Sequence, residues 1–159
     1  MKIKKVTANN RKKAFEVATH RRNYVFPYAK LETPPSRDNR VASVYVDSEL
    51  DNEAFTYELA SGDEGTVHID HVLEYNRDPR YMRDLLLYKL TLLAQEQVKN
   101  TSLSKREIIR RLGTSPAQFY RLLDQTDYRK SIDQLMVLLN VLDCEVDVVV
   151  TDRQLQEAV

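Results

Sequence analysis

The sequence predicts an α+β fold: a small antiparallel β-rich domain over residues 1–76, then a helical domain over residues 77–159 that closes with a strand. Three observations predict it. Before residue 76, short runs alternate apolar and polar side chains, the period of a half-buried strand. After Pro79, apolar residues recur three and four apart, which places them on one face of a helix. Ser-x-x-Glu/Gln then occurs three times between Ser104 and Gln134, and each copy is the start signal of a short helix.

In the front segment, Phe15, Val17 and Thr19 alternate with Glu16 and Ala18, and Tyr24–Tyr28 forms a second short run across Thr19-His20-Arg21-Arg22. Val41 to Asp47 alternates again. Phe55–Leu59 and Thr66–Ile69 flank Ser61-Gly62-Asp63-Glu64-Gly65, a hairpin-turn composition. Pro34 and Pro35 make residues 32–40 a loop. These strands are expected to form one small antiparallel sheet, and no period-length repeat is visible in them.

The bulk numbers exclude several function classes. The chain has 159 residues, 42% of them hydrophobic, with three glycines and five prolines, which suits one domain or two small ones with packed cores. Cys144 is the only cysteine, so an internal disulfide and a thiolate zinc site are both ruled out. It begins the expected strand Cys144–Thr151 and reads as an apolar thiol in a core, not as a nucleophile. His68-Ile69-Asp70-His71 has no third ligand and puts His71 on the opposite face of a strand, so no metal site is expected. Paired carboxylates, a catalytic triad and a phosphate-binding glycine loop do not stand out, so the chain reads as a protein without enzymatic activity or cofactor. With no 18-residue apolar run and no signal-peptide core, it is expected to be soluble and cytoplasmic.

Net charge is zero, but its distribution is uneven. Residues 1–30 carry nine basic residues against Glu16, residues 31–100 carry seven basic against fourteen acidic, and residues 104–130 carry seven basic against three acidic. Two basic segments therefore flank an acidic middle. The first is expected to pair with the acidic middle or to stay solvated; the alternative is that its cations add a DNA-contacting surface to the one the helical segment offers below.

The helical segment is punctuated by start and stop signals. Asp78 can cap a helix whose first turn holds Pro79. On that helix Met82, Leu86, Leu90 and Leu93 form one apolar row and Leu85, Tyr88 and Leu92 a second, so it is expected to sit between two partners. Ser104 opens a helix burying Ile108, Ile109 and Leu112, and Gly113 supplies the left-handed residue that ends it. Ser115 opens the next, burying Phe119, Leu122 and Leu123, and Ser131 opens a fourth, burying Ile132, Leu135, Met136, Leu139 and Leu142. Two short helices joined by a glycine turn are the unit that seats a second helix in the major groove of DNA.

With the apolar positions removed, Pro116, Ala117, Gln118, Tyr120 and Arg121 remain on the second short helix. Gln118 suits adenine and Arg121 suits guanine in the major groove. Lys105 and Arg106 lie at the start of one neighbouring helix, and Tyr128, Arg129 and Lys130 at the start of another. Cations beside helix N-termini can clamp phosphates on both flanks. Gln118 has a competing use, since it can close its own capping box with Ser115.

Residues 103–143 resemble the lambda-repressor-like (Xre-type) helix-turn-helix family in the spacing of Ile108, Leu112, Gly113, Ser115, Phe119, Leu135 and Leu142. The resemblance implies a compact four-helix DNA-binding domain, usually a homodimer, used by transcriptional regulators and by antitoxins of bacterial toxin–antitoxin pairs. It implies base reading at Pro116, Ala117, Gln118 and Arg121, and phosphate contact at Lys105, Arg106, Ser115, Tyr120, Tyr128, Arg129 and Lys130. Pro116 and Ala117 depart from the family pattern because neither side chain can donate a hydrogen bond. The stretch Thr56–Asp70 resembles a small bacterial domain of unknown function found ahead of such modules. The expected partner is thus double-stranded DNA, with the β-rich segment binding a toxin protein as the alternative.

Overall fold

The computed structural model describes residues 1–152, and the chain divides into two compact units, Met1–Met82 and the residues from Arg83 onward. Among the described residues the fold is α+β, with two three-stranded antiparallel sheets and five α-helices. Among the described residues, no helix is long and apolar enough to cross a membrane.

The first unit holds β1 (Ile3–Asn9), β2 (Ala14–Thr19) and β3 (Asn23–Pro27) in one sheet, then β4 (Val41–Asp47), β5 (Ala54–Leu59) and β6 (Glu64–His68) in another. The expected single sheet is therefore two, and β1, whose lysines hide its alternation, is an additional strand. The two sheets repeat each other. Each is a meander of strands seven, six and five residues long. Each has a register shift at the start of its first strand, at Ile3/Lys5 and at Val41/Ser43. Ala14-Phe15 and Ala54-Phe55 open the two middle strands, and the Phe15 and Phe55 rings meet with centroids 4.9 Å apart. The likeness lies in strand length and register and not in side-chain identity, so it is a repeat of architecture and not of sequence.

One apolar cluster spans both sheets, with Phe15, Val17, Phe26, Phe55, Tyr57 and Leu59 among its members. Such burial is the main stabilising term for a unit this small. The fifth helix, α1 (Ile69–Tyr75), closes the unit where strand ending in Ile69 was expected. His68 caps it, its ring Nδ1 accepting the backbone N–H of Asp70 at 3.3 Å, while Ile69, Val72 and Leu73 are buried. Asp78 then anchors the start of α2 (Pro79–Asn100) as the capping signal predicted. Its Oδ1 accepts the N–H groups of Arg80 and Tyr81, both at 3.1 Å, and its Oδ2 accepts from Arg22 at 2.7 Å and the Tyr24 hydroxyl at 2.9 Å.

The second unit packs α2 with α3 (Lys105–Leu112), α4 (Pro116–Leu122) and α5 (Ile132–Val141) around Leu87, Ile108, Phe119, Leu135 and Leu138. The buried row of α2 is Leu87, Thr91 and Ala94, not the expected leucine rows. Small Thr91 and Ala94 let neighbouring helices come close, and the Thr91 hydroxyl is satisfied on the Leu87 carbonyl at 2.7 Å. Leu86 and Leu93 consequently point outward, 47% and 53% exposed. On α5, Ile132 and Met136 are likewise at the rim and exposed, and Leu138 takes the expected core place. The strand expected at Cys144–Thr151 is absent: residues 144–152 have no regular structure and Val148, Val149 and Val150 are exposed. A strand needs a neighbour to receive its backbone hydrogen bonds, and among the described residues no strand pairs with this segment. Cys144 is half-buried against the second core.

Candidate nucleic-acid interface

All three serine caps form: Ser104, Ser115 and Ser131 accept the N–H groups of Glu107, Gln118 and Gln134 at 3.1, 3.2 and 3.2 Å. Only the third closes as a full box, with the Gln134 side chain accepting the Ser131 N–H at 3.0 Å. The Gln118 side chain is not used in this way. Between α3 and α4, Gly113 adopts φ 64 and ψ 32, the left-handed conformation that ends α3 at low cost.

Phe119 and Leu122 anchor α4 in the core, which turns its other side outward. Pro116, Ala117, Gln118 and Tyr120 are exposed there. Lys105 of α3 lies over the Tyr120 ring, its Nζ 5.8 Å from the centroid, a cation–π distance. Lys105 and Arg106 are exposed and form no ion pair among the described residues. Gln118 and Arg121 also border a cleft of about 490 Å³ whose other wall is Asp133, Gln134 and Val137 of α5.

Other expected site residues are engaged within the fold. Arg121 is half-buried, its Nε 3.3 Å from Asp127, and Arg129 donates to the same carboxylate at 2.8 Å. These contacts, Arg129 foremost, hold the Asp127 carboxyl well below the usual carboxylate range. The Ser115 hydroxyl serves as the cap of α4. Tyr128 is exposed, and its carbonyl accepts from Arg83 at 2.9 Å.

Lys130 corrects the phosphate assignment. It is 1% exposed, and its ammonium donates to the Leu122 carbonyl at 2.9 Å and the Asp124 carbonyl at 2.6 Å. It therefore caps the C-terminal end of α4 from below, satisfying carbonyls that a helix end leaves without partners. Burial lowers the Lys130 ammonium from its ordinary value, with Asp124 and Asp127 opposing the shift. Gln95 of α2 holds the same junction, donating to the Leu123 carbonyl at 2.6 Å and to Gln125 at 2.7 Å.

No family model matches the chain, and no curated protein or solved structure matches it either. The functional reading therefore rests on these residues.

Two acids organise the surface, Asp127, which enters the sequence reading only as a charge, and Glu107, which enters it as the last residue of the Ser104 start signal. Asp127 collects Arg121 and Arg129, and Glu107 collects Arg110 at 2.6 Å and Arg111 at 3.0 Å. The two arginines, Arg110 first, hold Glu107 at about 2. The i to i+3 and i to i+4 spacing within α3 was the available signal for that pair.

Proposed function

We propose that the second unit is a helix-turn-helix module of the lambda-repressor-like kind and that the protein is a sequence-selective binder of duplex DNA, acting as a dimer in transcriptional regulation. The observation that carries this reading is the outward face of α4. Pro116, Ala117, Gln118 and Tyr120 are exposed together, and no acidic residue stands among them. The Gln118 amide makes no hydrogen bond among the described residues, so it is free to take the paired donor–acceptor edge of an adenine. Arg121 reaches a guanine on exchanging Asp127 for the base. Lys105, Arg106, Tyr120 and Tyr128 contact phosphates, which fix the register of the reading helix.

One such face offers few contacts, so two copies are needed, with recognition helices about 34 Å apart on successive turns of the duplex. Leu86 and Leu93, exposed on α2, supply an apolar self-contact of the kind symmetric dimers bury.

The test is selection of bound duplexes from a random pool, followed by a salt titration of the winner. Two cations per subunit without an ion pair among the described residues, Lys105 and Arg106, predict a log–log salt slope of about −4 for a dimer. Gln118→Ala is expected to cost about 1–3 kcal/mol and relax one base position. A protein that binds no duplex at low ionic strength, or a Gln118→Ala variant with unchanged sequence preference, overturns the proposal.

A further inference from the structure

We propose that the first unit carries a binding site for a small organic phosphate, of nucleoside-monophosphate size, at the end of the first sheet between the β1–β2 turn and the 34–40 loop. A cleft of about 280 Å³ lies there, close to the lower end of the range of ligand pockets, about 300 Å³. Three cations line it, Lys13, Arg37 and Arg40, and no carboxylate does. None of the three forms an ion pair among the described residues, whereas Lys2, Lys12 and Arg22 of the same unit are paired with Asp51, Glu16 and Asp78. Ala29, Pro34 and Pro35 give the cleft an apolar wall beside the charges. Cations and apolar surface within one cleft match a ligand that carries both a phosphate and a ring.

The walls are fixed before any ligand arrives. The Tyr57 hydroxyl donates to the Thr33 carbonyl at 3.0 Å, and the Asn39 amide exchanges two hydrogen bonds with Ser61, at 3.0 and 2.9 Å. The Arg40 carbonyl accepts the Ala60 N–H at 2.8 Å. These bonds hold the loop that bears Arg37 and Arg40 against the second sheet. On the other wall, the Tyr28 N–H donates to the Lys13 carbonyl at 2.9 Å and the Tyr28 hydroxyl to Asn10 at 3.0 Å. Lys13 itself has φ 55, a conformation that non-glycine residues rarely adopt. A site whose loops are already in place loses little entropy on binding, and guanidinium groups suit the planar pairing of phosphate oxygens. The inference stands on the first unit alone and does not depend on the DNA reading.

The experiment is calorimetry on the full chain with nucleoside 5′-monophosphates, the corresponding nucleosides, inorganic phosphate, and a short single-stranded oligonucleotide with and without a 5′-phosphate. The free monophosphates are expected to bind, with nucleosides and inorganic phosphate each at least about tenfold weaker. The double variant Arg37→Ala, Arg40→Ala is expected to lose at least about tenfold in affinity with an unchanged melting midpoint, since both side chains are exposed. The double variant Arg37→Lys, Arg40→Lys is expected to fall between the parent and the alanine pair, since it keeps the charge and loses the planar pairing, and Lys105→Ala keeps all of the binding. Absence of monophosphate binding up to about 10 mM, or binding that the double alanine variant leaves intact, overturns the proposal. So does binding of the 5′-phosphorylated oligonucleotide alone, which would make the site a nucleic-acid end receptor, or inorganic phosphate binding as tightly as the monophosphates.

Discussion

Replacing Lys130 by Met separates folding from binding at the end of α4. The ammonium is 1% exposed and makes two bonds to backbone carbonyls, at 2.9 and 2.6 Å. A hydrogen bond involving a charged group is worth about 1.5–3 kcal/mol, so the two together hold roughly 3–6 kcal/mol of gross interaction. Burying the charge opposes this by several kcal/mol, and methionine of similar length refills the space while removing that cost. What remains is the penalty of leaving the Leu122 and Asp124 carbonyls without this donor, so the net loss is about 1–3 kcal/mol. Thermal unfolding should show a fall of several degrees in the midpoint. DNA affinity, measured by anisotropy well below that midpoint, should stay within about twofold of the parent, with the same salt slope. An unchanged midpoint with a salt slope reduced by about one per subunit would refute the reasoning, because Lys130 would then be reaching a phosphate.

Three further outcomes are expected. Asp127→Asn releases Arg121 and Arg129 from their shared carboxylate, so duplex affinity at low salt should rise and the salt slope steepen by about one per subunit; weaker binding by folded protein would contradict this. Gly65→Ala drives a Cβ into the Tyr57 hydroxyl and ring, and because Tyr57 is 1% exposed and holds the Thr33 carbonyl, it should cost about 1–3 kcal/mol in denaturant unfolding; an unaffected midpoint would show that the ring moves freely. Burial raises the Asp78 carboxyl, but Arg22, the Tyr81 N–H and the Tyr24 hydroxyl outweigh it and hold it at about 2 rather than 3.8. A depressed carboxylate stabilises the fold above its unfolded value and loses that contribution as the pH falls toward its folded value, here between about pH 4 and pH 2. Asp78→Asn, which can still cap α2, should therefore be about 2 kcal/mol less stable at pH 7 and converge with the parent near pH 2; a constant difference down to pH 2 would place the effect in the cap instead.

The local grammar of this chain was legible where one short-range interaction decides a structure. Ser104, Ser115, Ser131, Gly113 and Asp78 sit at the helix ends their chemistry specifies, because a cap depends on groups within three residues. The outward set Pro116, Ala117, Gln118 and Tyr120 was legible for a related reason: once Phe119 and Leu122 enter the core, helical geometry fixes where the others face. Contacts across the chain were not legible. Nothing near Lys130 in the sequence announces that it turns inward to two carbonyls, and its neighbours Tyr128 and Arg129 point to a cationic surface. The rows of α2 misled because leucine content favoured Leu86 and Leu93, while close helix packing favoured the smaller Thr91 and Ala94. The likeness of the two meanders was not legible because it lies in strand length and register, which any alternating residues can satisfy.

The charge of the second unit makes the same distinction between counting and structure. Seven basic residues lie between 104 and 130, which suggests a strong attraction to any phosphate backbone. Lys130 is consumed inside the fold, Arg110 and Arg111 share Glu107, and Arg121 and Arg129 share Asp127. That leaves Lys105 and Arg106 as the cations of this stretch without an acidic partner among the described residues. Two phosphate contacts per copy change affinity only about tenfold between 50 and 200 mM salt, too little to hold a single copy on DNA by charge alone. If the proposed DNA binding holds, such a surface should discriminate well, because non-specific binding, which charge supplies, is kept low. Occupancy would then depend on doubling the face, which is why the outward Leu86 and Leu93 belong to the same argument as Gln118.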